Sequence, residues 1–382
     1  MRKLFSAVPA TLVCLAIAAP AHASIALANP TTFSAGPLGR LSVQGILSGV
    51  GTWQSNPETA PGETPYGADR AARFDINNAQ VIVQKDTGVL QFYVQAGAYN
   101  FPTLGEPVTP TTTIMGNNFG VAPEAYITVA PSSTFSIEAG KLPTLIGEEG
   151  TWSWQNANIE RGLLWNDENA VNRGVQINYA RGPVAISLSW NDGFYSRSYH
   201  VLTGLASLTM DKADTVSVSF YHRFHRSLVS GPATPTVLNN SQIYDLMYAH
   251  KNGSLTVSPY VQYIYSPKSV KLGYTSTEHA GAAALLANYH FTPVWSLAGR
   301  AEYEKSSGSA LSTSANANIL GFGPGSQAWS LTLTPAYAVK GFFTRLEVSY
   351  VRVVGGAADA LFGAHGAGQN QVRGMIESGV TF

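Results

Sequence analysis

Charged residues recur two apart in the last third of the chain: Arg300, Glu302 and Glu304, then Arg345 and Glu347, then Arg373 with Glu377 four further on. Glu138 and Arg223 stand singly in similar surroundings. In an extended chain residues i and i+2 share a face, so each set sends carboxylates and guanidiniums to one side. Such groups either pair and fasten a wall, or set up a transverse field across water that orients polar solutes. Both readings stand. The two signs are interspersed, which leads to an expectation of near-equal permeability for cations and anions.

A second concentration lies between residues 142 and 170: Glu148, Glu149, Trp152, Trp154, Glu160, Arg161, Trp165, Asp167 and Glu168. Tryptophan beside charge suits a loop that narrows a water-filled passage. The tryptophan faces could also take a sugar-like ligand, or could simply pack the loop down, which is the plainer alternative.

Enzyme chemistry has little to stand on. Outside the leader the histidines are His200, His222, His225, His250, His279, His290 and His365, and no two are spaced i, i+2. His222 and His225, three apart, fall on opposite faces of a regular strand. H-E-x-x-H, G-x-S-x-G and P-loop motifs are missing, as is an acidic loop with EF-hand spacing. A serine–histidine lipase built on strands has no positive sign. The one cysteine, Cys14, falls in the leader, so no thiolate metal site, disulfide or thiol nucleophile is expected, and no cofactor.

That leader is Met1-Arg2-Lys3, an uncharged run from Leu4 to Ala19, then Ala21-His22-Ala23. A basic start, an apolar core and small residues around a cleavage point describe a secretory signal peptide over residues 1–23. Its removal takes Arg2 and Lys3 and no acid, so 23 basic residues fall to 21 against 23 acidic. A balance so near neutral argues against a nucleic-acid partner. Charged residues make up 12% of the chain, yet mean hydropathy is only +0.02. That is too polar for a bundle of membrane helices and suits strands with one face in lipid and one in water.

The elements that would position the charges show as a rhythm. Leu90, Phe92, Val94, Ala96 and Ala98 alternate with Gln91, Tyr93, Gln95, Gly97 and Tyr99; Val184, Ile186, Leu188 and Trp190 alternate with Ala185, Ser187, Ser189 and Asn191. Sixteen such segments run near 41–54, 73–85, 89–99, 123–130, 134–141, 171–180, 184–192, 199–210, 215–225, 241–251, 254–265, 277–290, 294–304, 327–339, 342–354 and 370–382. The second needs a bulge near Asn77-Asn78 to keep its faces consistent.

Tight turns such as Asp86-Thr87-Gly88, Asn252-Gly253 and Lys340-Gly341 alternate with long loops at 55–72, 100–122, 142–170, 193–198, 226–240, 266–276, 305–326 and 355–369. Short connections on one side and long ones on the other predict an all-β fold: one antiparallel transmembrane β-barrel of about 16 strands over 41–382. Its turns face the periplasm and its long loops face out, with residues 24–40 as a periplasmic lead-in. The uncharged stretch 280–299 is long enough for a spanning helix, but His290 and Thr292-Pro293 interrupt it and each half alternates. Inward placement of the charges also follows, because a basic residue at the lipid midplane costs about 2–4 kcal/mol.

Gly140-Lys141-Leu142-Pro143-Thr144-Leu145-Ile146-Gly147-Glu148-Glu149 resembles the signature of the β-barrel porin family of the OmpL-like type. Ala98 to Gly105, Glu160 to Trp165, Asn172 to Val175 and Leu188 to Gly193 support the likeness. It implies an outer-membrane porin passing small hydrophilic solutes, and names no particular solute. By the same likeness the third long loop folds into the lumen, and a homotrimer is the analogous assembly. The terminal Phe382 resembles the signal read by the barrel-assembly machinery, with outer-membrane lipid as the other partner.

Overall fold

The computed structural model describes residues 25–57, 69–309 and 311–382. The expected signal peptide and the middle of the 55–72 loop lie outside the described residues. Seventeen strands follow one another: β1 Thr31–Ser34, β2 Arg40–Gln54, β3 Ala72–Lys85, β4 Leu90–Tyr99, β5 Glu124–Val129 and β6 Phe135–Pro143. After a long loop come β7 Val171–Arg181, β8 Val184–Asn191, β9 Val201–Thr209, β10 Asp214–Arg223, β11 Gln242–Asn252 and β12 Leu255–Ser266. The last five are β13 Glu278–His290, β14 Trp295–Ser306, β15 Gln327–Val339, β16 Phe342–Val354 and β17 Asn370–Thr381.

From β2 onward each strand pairs antiparallel with the next, and β17 pairs with β2, Thr381 opposite Ile46 and Arg373 opposite Gln54. Sixteen strands thus close into a barrel, and closure leaves no row of bare backbone amides facing lipid. Side chains sort as the alternation requires. On β15, Leu331 and Leu333 face outward while Ser330, Thr332 and Thr334 are buried inside. Trp53, Trp190 and Tyr303 stand exposed near the loop end and Phe291, Trp295 and Phe382 near the turn end, where aromatic side chains settle between lipid and water.

The expected bulge is present. Ser48 faces Asn78 and Gly49 faces Ile76, so Asn77 has no partner across the ladder. One extra residue puts two neighbours on the same face. Asn77 and Asn78 both point into the barrel and both are fully buried.

Two features depart from the sequence reading. The 24–40 stretch contributes β1, which pairs Thr31–Ser34 with Arg40–Val43, and Ile25 packs with Ile46 and Phe343. Among the described residues the loops also hold three short α-helices: α1 Thr111–Asn117, α2 Leu163–Asn166 and α3 Thr236–Asn239.

Candidate functional site

The loop between β6 and β7 turns into the barrel, and the inward charges of the wall hold it there. Arg345 on β16 donates to the carbonyls of Asn156 at 2.7 Å and of Ser153 and Asn158 at 3.2 Å, and pairs with Glu377, its cross-strand neighbour on β17. Glu347, one step up the same face, accepts the backbone N–H groups of Ile159 at 2.6 Å and Glu160 at 2.9 Å. Arg373 pairs with the Glu160 carboxylate, whose second oxygen accepts Ser349 Oγ at 2.8 Å. On β14, Arg300 meets Glu149 at 2.6 Å and the carbonyl of Glu160 at 2.8 Å, and its Nε lies 3.2 Å from Glu302. These arginines and acids are at most 5% exposed. Charges buried together at this depth must be answered nearly atom for atom, and the loop supplies the answering atoms.

The bulge completes the seat. Asn77 and Asn78 donate to Ser153 Oγ at 2.9 and 2.7 Å and to Glu377 at 2.8 and 3.2 Å. Across the lumen Trp152 donates its indole N–H to Glu124 on β5 at 2.9 Å and sits edge-on to Tyr99. Leu164 packs against Met247, Tyr260, Ala284 and Leu286 of the facing wall. Arg161 turns back on its own loop, donating to the carbonyls of Ile159 and, at 3.2 Å, Thr151, so it clips the loop into shape. Gly162 has to be glycine: a Cβ there would stand 2.1 Å from the Glu302 carboxylate and 2.6 Å from that of Glu149. Burial raises the Glu149 carboxyl above its usual range, the Arg300 charge opposes the rise, and Glu302 adds to it.

The remaining sequence candidates fall elsewhere. Glu304 is inward on β14 but touches none of the loop-holding arginines. Glu138, half-buried on β6, accepts from Gln176 at 3.2 Å near the turn end. Arg223 lies at the loop end of β10, bound to Asn239, to Ser196 Oγ at 3.1 Å and to the carbonyl of Asp192 at 3.3 Å, so it ties down outer loops. Glu148 is half-buried on the loop's outer turn. Of the three tryptophans, Trp152 is fully buried and Trp154 packs with Ile25, Ile46 and Phe343. Trp165 lines a cavity of about 560 Å³ at the outer mouth, together with Phe101, Phe119, Phe194, Glu106 and Glu168. All three border one aromatic cluster with Tyr99 and Phe119, in which Trp152 and Trp165 are buried and present no open platform for a sugar chain.

Asp245 on β11 and Tyr260 on β12 went unremarked in the sequence reading. Asp245 shares its inward face with Ile243 and Met247, so the face reads as apolar.

A closed sixteen-stranded barrel with a lipid-facing apolar belt and a loop reaching through its lumen is an outer-membrane channel of the porin kind. The chain belongs to the family described as "Putative beta-barrel porin-2, OmpL-like", whose model matches residues 40–382. It is an outer-membrane porin, a channel for small hydrophilic solutes. The fold is similar to that of the outer membrane channel DcaP of Acinetobacter baumannii, with a TM-score of 0.58 at 12% identity over 90% of this chain and 97% of that one. OmpT of Vibrio cholerae, an outer membrane protein, gives a TM-score of 0.56 at 8% identity over 94% and 100%. No curated protein sequence matches the chain.

Proposed function

We propose that this porin is a passive, loop-gated sieve and not a barrel enzyme: solutes move down their gradients, and the 144–170 loop sets the size they must not exceed. The observation that carries the reading is the seat of that loop. Wall charges on β14, β16 and β17 bind its backbone and side chains, so the passage is what the loop leaves open. We assign Arg300, Arg345, Glu347, Arg373 and Glu377 to holding the loop on the wall, a role supported by their bonds to loop atoms.

The chain reaches the membrane by export on residues 1–23 and by assembly through Phe382. A homotrimer is the proposed assembly, supported by the trimer form of Vibrio cholerae OmpT, which shares the fold at a TM-score of 0.53.

Liposomes carrying the purified protein should swell in small sugars at rates that fall steeply with solute size. Swelling equal to that of empty liposomes for every solute would remove the porin reading. Rapid swelling in large oligosaccharides would remove the loop as the sieve.

A further inference from the structure

Near-equal permeability to cations and anions is the expectation from interspersed signs. But Arg300, Arg345 and Arg373 are consumed by the loop and their ion pairs, while a group of carboxylates on the loop, β11 and β14 keeps oxygens unanswered. We propose that the channel prefers small organic cations, solutes bearing an ammonium or guanidinium group, and that the buried carboxyls of Asp167, Glu168, Asp245 and Glu304 bias the passage toward them. The inference rests on the channel reading above and gives it a substrate class.

Charge placement is the first support. Each of the four carboxylates is at most 5% exposed, and one oxygen of each has no hydrogen-bond partner among the described residues: Asp167 Oδ2, Glu168 Oε2, Asp245 Oδ1 and Glu304 Oε2. Arg300, Arg345 and Arg373 have their ion-pair partners in Glu149, Glu302, Glu377 and Glu160, so none of the four acids is theirs. The acids are locked in place. Gly147 donates its N–H to Asp245 at 3.2 Å, and a Cβ on it would overlap the Glu168 carboxylate at 1.8 Å. Its positive φ of 79° lets the loop pass between them.

The second support comes from β12. Along its inward face Ser258 Oγ, the Tyr260 hydroxyl and Gln262 Oε1 are all buried without partners among the described residues. Tyr260 is 2% exposed, and its hydroxyl stands in the field of Glu168, Glu149, Glu302 and Asp245. Gln262 turns its amide N–H to Glu168 at 3.0 Å, which leaves its carbonyl oxygen free. Gln262 Oε1 can only accept and the two hydroxyls can accept as well as donate, so together with the acid oxygens they can serve one group rich in donors. An ammonium brings three N–H donors and a guanidinium five, and either also neutralises the carboxylates.

A chelated metal ion fits less well. Among the described residues no three acids or histidines converge closely enough to hold one. The approach suits an organic cation too: Glu168 and Glu106 line the outer cavity, and Phe101, Phe119 and Trp165 offer ring faces there.

Burial holds the Asp167 and Glu168 carboxyls well above the usual range, Asp245 and Glu149 add to the rise at Glu168, and Glu106 adds to it at Asp167. Glu304 faces Asp167 from β14, and Tyr260 and Gln262 face Glu168 from β12. A raised carboxyl is neutral at low pH and gains its charge as pH rises, so cation preference should grow with pH.

The test uses the full-length protein in planar bilayers under a potassium chloride gradient, with L-arginine and L-glutamate as probes. Expected are a reversal potential showing potassium favoured over chloride several-fold, a larger preference at pH 8 than at pH 5, and saturable reduction of the current by arginine but not by glutamate. In Glu168→Gln/Asp245→Asn, and separately in Glu304→Gln, the potassium-to-chloride ratio should fall at least about twofold and arginine block should weaken. Equal permeabilities, a chloride preference, or ratios unchanged in folded variants would overturn the cation preference and leave the porin standing. Block by micromolar magnesium with none by arginine would overturn the organic cation as the ligand. No channel activity at all would remove the porin reading itself.

Discussion

Removing residues 148–162 will raise single-channel conductance at least about threefold, because the segment fills the waist of the lumen and ionic current scales with the open section. Glu347→Ala should go part of the way. Its carboxylate accepts the N–H groups of Ile159 and Glu160, and without it two buried donors are orphaned. Each costs about 1–3 kcal/mol when left unmade. Arg345→Ala takes away the donor to three loop carbonyls and leaves Glu377 without its ion-pair partner. The loop then has more to gain by leaving than by staying, and openings should become larger and noisier. Conductance equal to wild type in the deletion would put the loop outside the conducting path.

The second large effect concerns closure. Gly45 and Phe382 exchange both backbone hydrogen bonds, N–H to carbonyl at 2.7 and 3.0 Å. A Cβ on Gly45 would stand 2.6 Å from the Phe382 ring and 2.8 Å from the carbonyl oxygen of Gln80. The ring can swing aside, but the Gln80 backbone is part of the β2–β3 ladder and cannot. Gly45→Leu should therefore hold β17 off β2 and cost about 1–3 kcal/mol in strain where the barrel shuts. In unheated gels, most of the protein should shift from the compact folded band to the unfolded position. Gly281→Leu on β13 is the matched control, since Gly281 is exposed and a Cβ there meets nothing within 4 Å among the described residues. Equal folded fractions for the two variants would show that the seam tolerates a side chain.

The strands were legible because the barrel wall obeys one local rule. Lipid on one side and polar groups on the other impose period two on every segment, and even the bulge at Asn77 showed as a break in that period. The loop's destination was less legible. Glu347 holds Ile159 across 188 residues of chain, and no local pattern connects them. That β14, β16 and β17 carry charge was visible; that the charges would grip a loop was not, because pairing with each other fits the same spacing. Asp245 was hidden by Ile243 and Met247, which pack inward because the loop brings Leu164 and Ile146 into the lumen. An inward face is polar only where water reaches it. The helices α1, α2 and α3, at four to seven residues, are too short to build an amphipathic signature.

Several anchors of the inner loop sit on β3, β16 and β17, strands brought together only when the last strand meets the first at β2. Ser48 and both bulge asparagines reach Glu377 from the far side of that seam. Although the loop is made before the middle of the chain, it has no complete seat until the final strand has docked. Shutting the seam and seating the loop are therefore coupled: whatever loosens the junction of first and last strand also loosens the barrier across the pore.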